Sequence, residues 1–70
     1  MHRTVTRQVM HKRGGSEIVK FNIVGLNSSA ASQVADRLKF NIEFNRGLHS
    51  DKRAPYKKSD FAIFGEFEVL

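Results

Sequence analysis

The hydrophobic period of this chain changes once, from two to nearly four, and within seventy residues that change leaves room for one kind of domain. In "IVKFNIVG", Val19, Phe21 and Ile23 alternate with Ile18, Lys20, Asn22 and Val24, as the two faces of a strand do. In "GLNSSAASQVADRL" the apolar residues move to Ala31, Val34, Ala35 and Leu38, with Ile42 next, a narrow stripe at about 100° per residue. Asn27, Ser28 or Ser29 stands where the first unpaired N–H groups of a helix need an acceptor. A strand therefore gives way directly to a helix.

Ahead of that strand, "TVTRQVM" is β-branched and alternating, with Val5 and Val9 on one face and Arg7 between them, the pattern of an edge strand. Gly14 and Gly15 in "RGGSE" suit a hairpin turn, so the second strand is the central one. The peptide "KFNI" occurs at Lys20–Ile23 and again at Lys39–Ile42. The second copy reads as helix, since residues 30–45 hold no Gly or Pro and Gly47 stands at a helix C-terminus, beside Arg46 and with Leu48 placed to fold back onto Ile42. Phe40 and Phe44 then form an i, i+4 pair nearly opposite the core stripe.

"HSDKRAPYKKSD" reads as a long loop, and "FAIFGEFEVL" as a last strand with Phe61, Ile63, Phe67 and Val69 inward and Phe64, Glu66 and Glu68 outward. Gly65 marks a bulge or a close backbone approach. The expectation is a single α+β domain over 1–70, ordered β-β-α-β, a three-stranded sheet with one long helix packed on one face. Its strands fall at about 3–12, 17–25 and 60–69, its helix at about 28–46 and its basic loop at 47–59. The last strand lies either beside the second and parallel to it, or beside the first and antiparallel.

Composition narrows the function. The absence of Cys excludes disulfides and thiolate metal sites, and with no export signal or apolar run long enough to span a bilayer it points to the cytoplasm and away from membranes. Twelve Lys and Arg against seven Asp and Glu leave a net charge of +5, a field that attracts polyanions. No enzyme, cofactor or metal is expected. His2, His11 and His49 lack ligand spacing, the glycines form no phosphate loop, the serines suit capping, and Glu66 and Glu68 on an exposed strand lack the cleft a general acid needs.

Two binding surfaces stand out. The first is for nucleic acid, DNA or RNA. The loop offers Lys52, Arg53, Lys57 and Lys58 to phosphates, with Tyr56 as a stacking ring and Pro55 limiting its freedom, and the hairpin adds Arg3, Arg7, Lys12 and Arg13. Arg3 and Arg7 share the face of Val5 and Val9, so that ribbon is either partly covered or re-phased by a bulge. The alternative is a protein-binding regulator or inhibitor of the small bacterial or phage kind, or a homodimer formed through the helix. It would use Phe40, Phe44 and Phe64 or an open strand edge. If no partner covers Phe40 and Phe44, Leu48 or Tyr56 has to.

Overall fold

The computed structural model describes residues 1–50 and 55–70. Two strands, β1 (His2–Met10) and β2 (Ser16–Val24), form an antiparallel hairpin in unbroken register, with Val5 opposite Phe21 and Arg7 opposite Val19. The turn closes with hydrogen bonds from the His11 N–H to the Gly15 carbonyl and from the Gly14 N–H to the His11 carbonyl, with both glycines at positive φ. No bulge shifts the phase. Arg3, Val5, Arg7 and Val9 therefore share the inner face with Val19, Phe21 and Ile23.

Helix α1 (Ser28–Asn45) follows at once. Asn27 is its cap, its side-chain oxygen accepting the Ala30 N–H at 2.9 Å. At the other end the Gly47 N–H bonds the Phe44 carbonyl and the Leu48 N–H bonds the Glu43 carbonyl, a Schellman closure that needs the positive φ of Gly47. The second "KFNI" is thus helix, and Ala31, Val34 and Ala35 are buried along the expected stripe, joined by Ala30. The helix runs from the β1 start toward the hairpin tip. Their mean course is fixed by bonds from Arg3 to Leu26, from Arg7 to Ser32, and from Met10 to Glu43.

The C-terminal region departs from the expected strand at 60–69. Lys58–Phe64 forms a short 3-10 element, η1, made of two turns meeting at Phe61, and β3 is only Glu68–Val69. The reason lies in side-chain spacing. In a 3-10 turn residues three apart eclipse, so Phe61 and Phe64 come to one side, their ring centroids 6.1 Å apart, and both pack against the core. Alternation would have placed Phe61 with Ile63. Instead Ile63 is 87% exposed, and Phe64, expected outward, is half-buried.

β3 lies beside β2 and antiparallel to it, in the order β1-β2-β3, with Ile23 opposite Val69 and Val24 opposite Glu68. Both expected placements of the last strand are thereby corrected: it has the neighbour of one and the direction of the other. The segment after α1 returns to the far end of the sheet before β3 begins, and this reverses its direction. The close approach falls at Gly25, not at Gly65. A Cβ on Gly25 would stand 2.9 Å from the Glu66 carbonyl oxygen, whereas Gly65 simply ends η1 at positive φ. The core is Phe21, Ile23, Leu26, Ala30, Ala31, Val34, Ala35 and Phe67, flanked by Tyr56, Phe61 and Phe64.

Candidate nucleic-acid interface

The inner-face arginines serve the fold. Arg7 donates through Nε to Asp36 Oδ1 at 2.7 Å, through one terminal nitrogen to the Ser32 hydroxyl at 2.7 Å, and through the other to the Thr6 carbonyl at 2.8 Å. Arg3 donates to the Leu26 carbonyl at 3.2 Å and to the Met1 sulfur at 3.1 Å. The Arg7 guanidinium is held between sheet and helix and the Arg3 guanidinium against the β2–α1 connection, which removes them from any continuous basic ribbon. Helix residues Ser32, Asp36 and Glu43, spaced by four and seven, form the polar line that meets the edge of β1.

Glu43 ends that line and is only 5% exposed. Its carboxylate accepts the Met10 N–H at 2.9 Å and pairs with His49 Nε2 at 3.1 Å. Burial works against its charge, but the Met10 and His49 hydrogen bonds and the nearby charges of Lys39 and His49 outweigh it and hold the carboxyl below the ordinary glutamate range. The next pair out joins the helix end to the hairpin. Arg46 bonds Glu17 and donates to the Met10 carbonyl at 3.1 Å, and its hydrogen bond, with His11 close by, holds Glu17 low despite some desolvation.

The aromatic candidates divide into two groups. Phe40 and Phe44 lie 6.0 Å apart and are half-buried, and His49 stacks on Phe40 at 4.7 Å, a ring that Leu48 or Tyr56 was expected to cover. The Arg37 guanidinium also lies over the Phe40 ring at 5.2 Å. Tyr56 sits elsewhere, stacked on Phe61 at 5.4 Å, with its hydroxyl buried and its pKa raised by that burial. Its ring belongs to the core margin, not to an exposed stacking platform.

Among the described residues, the basic side chains of the loop and those of the hairpin tip stand apart. Lys52 and Arg53 lie outside the described residues. Lys57 and Lys58 are exposed at the Gly25 end, where the Lys58 ammonium lies 5.1 Å over the Phe67 ring in an open cleft of about 700 Å³ whose walls also carry Glu66 and Glu68. Lys12 and Arg13 are exposed at the hairpin tip, the length of β2 away. Among the described residues, no three His, Asp or Glu side chains converge as a metal site would need, and no helix is long and apolar enough to cross a membrane.

The surface that sequence reading missed is the outer face of the hairpin. Helix α1 covers one side of the sheet, and the other carries Thr4, Thr6, Gln8, Ser16, Ile18 and Lys20 in the open, with Asn22 half-buried. The Thr4 hydroxyl donates to Asn22 Oδ1 at 3.0 Å and the Gln8 amide donates to the Ser16 hydroxyl at 2.7 Å, so the polar groups are ordered across the strands. No acidic side chain of β1 or β2 points this way, since Glu17 has inner-face parity; on the sheet's far edge Glu68 of β3, opposite Val24, does. Parity alone, applied to both strands at once, would have found this face.

Set against protein-family models, curated proteins and solved structures, the chain matches none. The outer face therefore has to be read from its own chemistry. It presents hydroxyls, amides and an ammonium around the exposed Ile18, and it leads to Arg13 at the tip, where the Lys12 side chain lies back against Gly47.

Proposed function

We propose that the chain is a small non-enzymatic nucleic-acid-binding protein that holds phosphates with the outer face and tip of the β1–β2 hairpin. The observation that supports this is the open outer hairpin face of Thr4, Thr6, Gln8, Ser16 and Lys20, which carries no acid of its own two strands and leads to Arg13 at the tip. Phosphate and sugar contacts are made by just such Lys, Arg, Ser, Thr, Asn and Gln groups, and a two-stranded ribbon fits a nucleic-acid groove. Asp36, Glu17 and Glu43 are each paired within the fold, with Arg7, Arg46 and His49, and the net charge of +5 favours a polyanionic partner.

The test is retardation of labelled single- and double-stranded DNA and RNA across a salt series. Affinity should fall steeply with salt, and replacing Lys12, Arg13 and Lys20 together with Glu should lower it by about tenfold or more while the melting temperature stays unchanged. Loss on Lys57→Glu with Lys58→Glu instead would move binding to the loop and overturn the hairpin assignment. No retardation at low salt would end the nucleic-acid reading. The regulator reading, for its part, shifts from Phe40 and Phe44 toward an open edge of the sheet.

A further inference from the structure

The two edges of the sheet are treated differently. Main-chain bonds between Met1 and Gly25 and between His11 and Gly15 show that odd-numbered residues of β1 and β2 face each other, so even-numbered ones face away. On β1 those outward groups are interrupted by side chains. Arg7 takes the Thr6 carbonyl, Glu43 takes the Met10 N–H, and Arg46 takes the Met10 carbonyl. Such plugs, spaced along the strand, discourage pairing with another chain.

On β2 there is no equivalent. β3 covers only Ile23 and Val24, with the Leu70 N–H reaching the Asn22 carbonyl at 2.8 Å. Beyond it, the outward N–H and C=O groups of Ser16, Ile18 and Lys20 meet no partner among the described residues. Ile18, in the middle of this stretch, is 65% exposed.

We propose that this edge pairs with the same edge of a second copy, antiparallel, with Ile18 on the two-fold axis. In that register Ile18 meets Ile18, Lys20 meets Ser16 of the other copy, and Val19 meets Glu17, so no like charges stand opposite one another. The fit is limited at the correct place. Leu70 occupies the lane beside Asn22, the second copy's β2 begins at Ser16 opposite Lys20, and its Gly15 and Gly14 come opposite Phe21 and Asn22, so its turn has to lift away from the strand plane at Leu70. The same register brings the partner's turn to the Leu70 end of β3, with Glu68 opposite Val24 at its other end. The pairing closes on itself, each edge satisfying the other, and leaves both outer faces on one continuous surface.

Dimerisation does not depend on nucleic-acid binding, and it is measured without it. Sedimentation equilibrium of the whole chain should show a reversible monomer–dimer exchange at sub-millimolar concentration. Ile18→Lys, which places like charges on the axis at an exposed position, should weaken it about tenfold without lowering the melting temperature. In hydrogen exchange, the Ile18 and Lys20 amides should gain protection as concentration rises, while the Thr4 and Gln8 amides on the other edge should not. A monomer at every concentration overturns the proposal and leaves the edge to an extended segment of another protein. A dimer unmoved by Ile18→Lys, or one that protects the β1 edge, overturns it as well.

Discussion

Glu43 is the residue whose role the sequence conceals most. In "FNIEF" it is polar under either period, yet it is buried because the last amide of β1 needs an acceptor that the sheet does not supply. Glu43→Ala should cost about 1–3 kcal/mol by leaving that amide and His49 without their partner, as read by denaturant melts. The pH dependence has a definite sign. Because the folded carboxyl is held below the ordinary value of 4.5, its contribution is full above that value and is lost as the pH falls through the lowered one. Glu43→Gln should therefore flatten the acid limb of the stability curve. Arg7 is similar: its placement among valines looked like an exposed ribbon in conflict with a core, and the conflict is resolved by helix groups that satisfy it.

At the scale of elements, the hairpin, the helix and both helix ends were legible, because each rests on local chemistry: alternation, paired glycines, an Asn cap, a Gly terminus. The last strand was not. "FAIFGEF" satisfies alternation at Phe61, Ile63 and Phe67, and a spacing of three at Phe61 and Phe64, and nothing local decides between them. The decision comes from the exposed inner surface beside α1, which takes the pair that can stack. Phe64→Ser should thus destabilise by on the order of 1–2 kcal/mol, a share of what a fully buried ring contributes, whereas Ile63→Ser should leave the thermal midpoint where it is. Equal effects of the two changes would restore the strand. "KFNI" shows the same rule from the other side, for one peptide is strand in β2 and helix in α1 according to its flanks.

The whole molecule measures 36 × 24 × 17 Å, thin enough that one helix and one sheet make up its depth and no helix or strand among the described residues lies over the second sheet face. Composition announced the excess positive charge; only the tertiary pairing of Asp36, Glu17 and Glu43 shows which cations remain to act outward. The brevity of β3 has a practical side. Residues appended after Leu70 would enter the lane beside β2 running toward Lys20 and Ile18, in the direction an added strand requires. A C-terminal affinity tag should therefore behave as a built-in competitor, shifting sedimentation toward the monomer, while the same tag placed before Met1 should leave association unchanged.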